Sequence, residues 1–252
     1  MADIGERPMP DYMCLTALAA STVTVTGTYA YNLEYSLDGL SWNTFNADVT
    51  ITLAEGESAY FRGNNTRLAS STSSVTKFVM TGSLAGSGNI MSLLYGKNIA
   101  GETTITGSYC FAYLFLNCTA LTTSPTFPAT SLKSNAYYHT FQGCTNLTQC
   151  PDLPAVTTNS RCYEGMFQKC TSITYCKMLA KTLASYALRV WMYEAKDSTT
   201  CVFVKHIDAT WTDVGQSGVP SKWRIIYYDP SEDKYYTSQD KSQECDNHGN
   251  PI

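Results

Sequence analysis

Between residues 110 and 180 the chain repeats every 26 residues: Phe115, Phe141 and Phe167 fall in register, as do Cys118, Cys144 and Cys170, then Leu121, Leu147 and Ile173. The recurring side chains are aromatic, thiol and aliphatic, groups that fill space rather than move protons. A unit of this length supplies one short strand and one return segment, but it cannot bury its apolar edge alone, so neighbouring units must stack. Parallel strands about 4.8 Å apart set equivalent residues in rows. The nine positions are therefore expected to form a structural ladder.

Copy one runs from Cys110 through Phe115 to Pro125 and Phe127-Pro128-Ala129, and copy two from Ala136 through Phe141 to Pro151 and Leu153-Pro154-Ala155. Copy three, starting at Cys162, carries Lys177 and Ala180 in place of the prolines and reads as the final copy. Stacks of this kind need capped ends. Leu179, Leu183, Tyr186, Val190 and Trp191 stand at helical spacing, which predicts a capping helix over 179–195. Val202 and Val204, then Trp223, Ile225 and Tyr227, suggest further strands, whereas 239–252 is polar, contains Gly249 and Pro251, and is expected to be an extended or partner-ordered tail.

Upstream, alternation at Val23 and Val25, at Leu33 and Tyr35, and at Val49, Ile51 and Leu53 predicts antiparallel strands. Asp38-Gly39 between Leu33/Tyr35 and Trp42/Phe45 predicts a hairpin turn, and Ala54 to Ser58 a second turn. Gly82, Gly86, Gly88 and Gly96 interrupt the pattern and place a domain boundary near residue 100. The expected division is an irregular arm over 1–10, which would serve as an anchor, a β-sandwich-like domain over 11–100, three repeats over 101–180, a capping region over 181–238 and the tail.

Charged residues make up only 15% of the chain, against roughly 25% in a typical domain. With 17 basic and 21 acidic residues and a net charge of −4, the chain lacks the basic patch that nucleic acid requires. Its longest apolar stretches, Phe111 to Leu116 and Ile90 to Tyr95, fall far short of the ~20 residues of a membrane span, so no membrane insertion is expected. Met1 to Pro10 has no apolar run of the kind a secretory signal needs. The ten cysteines are spaced largely by the repeat and are read as reduced core thiols.

No catalytic or cofactor motif stands out, and no enzyme activity is expected. Cys144/Cys150 and Cys170/Cys176 share a Cys-x5-Cys spacing, but Cys-x2-Cys is missing and copy one has Ser124 at the matching place, so no metal site is expected. His139, His206 and His248 sit in unrelated contexts. Ser36-x-Asp38-Gly39-x-x-Trp42 resembles the Asp-box hairpin of sialidases but is one residue short of it. Rings stack on sugars as readily as they pack a flank; Trp42, Tyr137, Tyr138 and Tyr163 are the candidate ligand-facing aromatics.

The Phe-x-x-Cys-Thr-x-Leu/Ile-Thr core with its Leu/Phe-Pro-Ala strand exit resembles the BspA-like leucine-rich repeats of bacterial surface proteins and gut bacteriophage proteins. Tyr12 to Ala17, Tyr35 to Gly39, Phe61-Arg62-Gly63, Gly88 to Gly96 and Ser217 to Trp223 resemble the flanking β-domain and C-terminal segment of phage-encoded members. The resemblance covers about residues 11–225. It implies a mainly β fold with some α: an antiparallel β-sandwich-like domain, a short leucine-rich-repeat solenoid and a C-terminal cap. It further implies display and adhesion on a virion surface, as a head fibre or tail-associated protein, without catalysis. The expected partners are other virion proteins, further copies of the chain, and a host glycan or protein. A bacterial cell-surface adhesin and a lectin-like module are the rival readings.

Overall fold

The computed structural model describes residues 11–29 and 31–252; the expected anchoring arm, 1–10, lies outside them. Strand accounts for 31% and helix for 3%, so the chain is mainly β. Its strands make two sheets, neither of them closed.

The first sheet is built from β1 (Met13–Gly27), β2 (Leu33–Ser36), β3 (Asn43–Thr44), β4 (Ile51–Leu53), β5 (Ser58–Gly63), β6 (Thr76–Ser87) and β7 (Leu121–Thr123). The order is β3-β2-β5-β1-β6-β7, with β4 also paired to β1. Strand β1 has room for both partners on one edge because β5 takes Met13 to Thr16 and β4 takes Ser21 to Val23. The expected hairpin joins β2 to β3, with Gly39 at φ 76° and the Asp38 carboxylate accepting from the Leu40 and Ser41 amides at 2.8 and 2.7 Å.

Three expectations for this region need correction. The strands of 11–100 share one hydrogen-bonded network instead of forming the two facing sheets of a sandwich. Gly82 and Gly86 do not break the chain but lie inside β6. At Gly82 (φ 79°) the β1/β6 register shifts, and an added Cβ would stand 2.3 Å from the Ala20 carbonyl, so only glycine fits the bulge. Nor does the boundary near residue 100 separate two cores. Strand β6 pairs in parallel with β7 of copy one, and a single apolar cluster runs from Met13 to Trp223.

The return segments are not helices. A single helical turn, α1 (Ser92–Tyr95), is the α-helix among the described residues. Over 109–118 the chain forms overlapping turns: the Ala112 amide donates to Tyr109 O at 3.1 Å and that of Leu114 to Phe111 O at 3.3 Å. The amides between them donate to the next copy, Phe111 to Ala136 O and Tyr137 to Cys162 O, each at 2.8 Å. Every fourth residue is left-handed, as at Tyr113, His139 and Gly165 with φ of 59°, 51° and 60°.

The same ladder continues through 186–195, where the capping helix is expected. Tyr186, Val190 and Glu194 have φ of 59°, 47° and 58°, which no right-handed helix tolerates, and the Tyr163 amide donates to Ala187 O at 3.1 Å. The spacing of four apolar residues is that of the turn ladder, and copy three is followed by a fourth segment.

The second sheet contains β8 (Tyr175–Met178), β9 (Val202–His206), β10 (Arg224–Asp229), β11 (Lys234–Tyr236) and β12 (Glu244–Cys245), in the order β12-β11-β10-β9-β8. Strands β8, β9 and β10 are parallel; β11 and β12 run antiparallel to their neighbours. The tail is therefore neither frayed nor extended. Cys245 is buried opposite Tyr235, Asp246 accepts from the His248 and Asn250 amides at 2.8 Å each, and the Gln239 amide donates to the Ile207 and Ala209 carbonyls.

Inside, the nine ladder positions are all buried. Phe115, Phe141 and Phe167 stack at 5.3 and 5.7 Å with planes 18° and 8° apart. The row extends through Phe78 to Phe61 on one side and through Trp191 to Phe203 and Trp211 on the other. Each ladder thiol donates to the phenylalanine carbonyl one row back: Cys118 to Phe78 at 3.3 Å, Cys144 to Phe115 and Cys170 to Phe141 at 3.0 Å. A thiol is small enough for this corner and still carries a donor, which satisfies a carbonyl lone pair that burial would leave bare. All ten cysteines are free and buried.

Candidate ligand-binding face

The structure separates the four candidate aromatics. Tyr137 and Tyr163 are 1% and 0% exposed and face no ligand. They form a second interior row with Phe111, stacked at 5.9 and 5.8 Å. The shared register of Phe111, Tyr137 and Tyr163 in the sequence, 26 residues apart, was the sign of interior packing. Their hydroxyls find no hydrogen-bond partner, and burial holds both phenols well above their usual range. Trp42 is half-buried, its ring edge-on to Tyr12 at 4.8 Å and beneath the Arg62 guanidinium at 4.0 Å. Arg62 is itself paired with Glu34 at 2.6 Å, so the Trp42 ring belongs to a packed cluster.

Tyr138 is likewise half-buried, on the outer side of the turn ladder, where it packs with Tyr109 and Tyr113 against Ala69, Val75 and Ala112. It meets Tyr109, Tyr113 and His139 at 6.2, 5.4 and 4.3 Å, and His139 stacks on Tyr113 at 5.4 Å. Tyr113 and His139 hold equivalent left-handed turn positions in neighbouring copies and lie one above the other. At the next step there is glycine. A Cβ on Gly165 would stand 2.2 Å from the His139 ring, which settles over the bare backbone. Burial lowers the His139 pKa, keeping the ring neutral, and its Nδ1 has no partner in the described chain.

The row continues into charge. Glu164 is 4% exposed, and burial raises its pKa while Arg161 and Arg189 oppose the rise. Arg161 lies 3.6 Å and Arg189 3.9 Å from the carboxylate. Both guanidinium groups also flank the ring of Tyr186, at 5.3 and 5.9 Å. None of these four residues repeats at the 26-residue period, and reading by period passes over them.

A second concavity lies on the strand-exit side. Pro125, Phe127, Pro128, Pro151, Asp152 and Pro154 line a groove of about 460 Å³ between copies one and two. Prolines offer no amide to an incoming strand, and the Asp152 carboxylate, raised by burial, already faces Lys177 at 3.8 Å. Among the described residues, no three or more His, Cys, Asp or Glu side chains gather as metal ligands would, and no helix is long and apolar enough to cross a membrane. His206 is buried with its Nδ1 accepting from the Asp208 amide at 3.0 Å, and His248 packs near Tyr175.

The turn-ladder face can therefore offer ring surfaces and guanidinium donors to a polar ligand. Compared with family models, curated proteins and solved structures, the chain matches none.

Proposed function

We propose that the chain is a structural and adhesion protein of a bacteriophage virion, a head fibre or similar surface appendage, acting by binding and not by catalysis. Its stacked segments constitute a short solenoid of leucine-rich type, and the strands of 11–100 seat it on other virion proteins. The observation that carries the reading is the outer side of the turn ladder. Interior rows of stacked rings support it, while half-buried Tyr109, Tyr113, Tyr138 and His139 form one cluster of rings and the more exposed Arg161, Tyr186 and Arg189 a group of ring and cations on the following coils. The motif resemblance to BspA-like repeats of gut phages supports the same assignment. Appendages of this kind are commonly closed homo-oligomers.

Immunogold labelling of phage particles and of uninfected cells tests the proposal. Regular gold on heads or tails is the expected result. Gold confined to uninfected cell envelopes would make the protein a bacterial surface adhesin and overturn the virion assignment.

A further inference from the structure

We infer that Arg161, Arg189 and Tyr186 form a site for an acidic saccharide, one carrying a carboxylate or a sulfate ester. The inference rests on the adhesion reading and names the ligand class for the same face.

The argument begins with the Glu164 carboxylate. It is 4% exposed, and its Oε2 receives no hydrogen bond. A buried carboxylate without donors is costly, and nearby cations are what make it tolerable. Arg161 and Arg189 stand 3.6 and 3.9 Å away, within ion-pair range but beyond hydrogen-bonding distance. The two are held in place by charge with their hydrogen-bonding capacity unspent. Among the described residues neither guanidinium donates a hydrogen bond, in contrast to Arg62, whose Nε is bound to Glu34, and Arg224, whose guanidinium donates to the carbonyls of His248 and Gly249.

Arg161, Arg189 and Glu164 together carry one net positive charge, and the two arginines present planar forks to solvent, with side-chain exposures of 40% and 51%. A guanidinium fork matches a carboxylate or sulfate edge through two parallel N–H bonds. Between the forks lies the Tyr186 ring, 61% exposed, which gives a sugar an apolar face to lie on. A cleft of about 560 Å³ lined by Tyr186, Arg189, Asp213 and Ser217 opens alongside and has room for a saccharide unit. Lys169, another cation on the ladder, is paired with Glu194 at 3.9 Å.

The test is calorimetric titration of the full chain with sialyllactose against lactose, and with galactose 6-sulfate against galactose. At least one acidic sugar is expected to bind about tenfold or more tightly than its neutral counterpart. The R161Q/R189Q double variant is expected to lose that preference and to melt below the parent, because Glu164 then keeps no cation beside it. Tyr186→Ala is expected to weaken acidic and neutral sugars alike. Equal affinity for acidic and neutral sugars, no binding of either acidic sugar, or an acid preference that survives in R161Q/R189Q would each overturn the site. Should the double variant unfold, Arg161→Lys and Arg189→Lys keep the charge near Glu164 but remove the planar fork, and an undiminished preference in both would overturn the site equally. Failure here leaves particle labelling untouched, and absence of gold from particles leaves the titration untouched, so the two readings fail separately.

Discussion

Replacing Phe141 by alanine probes the stack at its centre. The ring is fully buried, with Phe115 at 5.3 Å on one side, Phe167 at 5.7 Å on the other and Phe127 at 5.3 Å against it. Burial of roughly 150–200 Å² at about 25 cal/mol per Å² gives about 4–5 kcal/mol, and measured Phe→Ala costs in cores run about 3–5 kcal/mol. The upper part of that range applies here because the cavity cannot collapse. The flanking coils are tied by Phe115 N–H to Thr140 O and Phe141 N–H to Met166 O, both at 2.9 Å, so the rings above and below cannot settle toward each other. Against a whole-protein stability of about 5–15 kcal/mol, the loss is severe. In urea, with a slope of about 2.5 kcal/mol per M, the midpoint should fall by about 1.5–2 M, read by tryptophan fluorescence, to which Trp191 and Trp211 of the same row contribute. Phe141→Leu, which refills most of the space, should fall by less than half as much. A midpoint within about 0.5 M of the parent for Phe141→Ala would refute the claim that coil-to-coil bonds hold the cavity open.

The turn ladder makes two substitutions of opposite sign. Lys169 is left-handed at φ 61°, where copy two has Gly143, so Lys169→Gly should stabilise by about 0.5 kcal/mol, whereas Gly165→Ala, at φ 60° and facing the His139 ring, should cost about 1–2 kcal/mol, both measured by thermal melts. Burial pushes the thiols of Cys118, Cys162 and Cys170 up to about 12 from an ordinary value of 9.0. Above pH ~9 the unfolded chain releases these protons and the folded chain keeps them, so stability is whole below that pH and drains away as pH rises toward about 12. By pH 10 the loss is about 1 kcal/mol per thiol, and melting midpoints that stay flat from pH 8 to pH 10.5 would contradict it. With all ten thiols buried and free, a thiol reagent at pH 8 should label none in the native protein and ten in urea; rapid native labelling would mean that the cysteine rows are open.

What the sequence made legible was whatever every coil needs alike. Phe115, Phe141 and Phe167 share one environment three times over, so one residue type answers three times, and the ladder of nine could be read without coordinates. Copy four escaped because its register is shorter by one, Lys169 aligning with Glu194 where Gly143 aligns with Lys169, and because Met192 takes the place of phenylalanine. The helix expected over 179–195 came from Leu179, Leu183, Tyr186, Val190 and Trp191, in which steps of four recur. A turn ladder with a left-handed residue at every fourth position writes the same spacing, and periodicity alone does not separate them. The sandwich expectation failed for a different reason: alternation shows that a strand has one buried face, not whether that face meets a second sheet or the coils continuing from its own edge.

The candidate site was the least legible part, and the backbone explains why. Coils are joined by main-chain amides and carbonyls, Tyr113 to Tyr138 O at 2.9 Å and His139 to Glu164 O at 2.8 Å, and these bonds do not depend on what the outward side chains are. Equivalent outward positions are consequently free to hold Tyr113, His139, Gly165 and Val190 in turn, while the inward neighbours are Phe115, Phe141 and Phe167 and, in the fourth coil, the similarly apolar Met192. Exposed substitutions typically stay within about 0.5 kcal/mol of neutral, and a buried ring costs several times that. The fold can thus tolerate a new binding surface on its outer side without renegotiating its core. In such a chain the residues that recognise a ligand are to be sought where the period is lost, which is where Arg161, Glu164, Tyr186 and Arg189 stand.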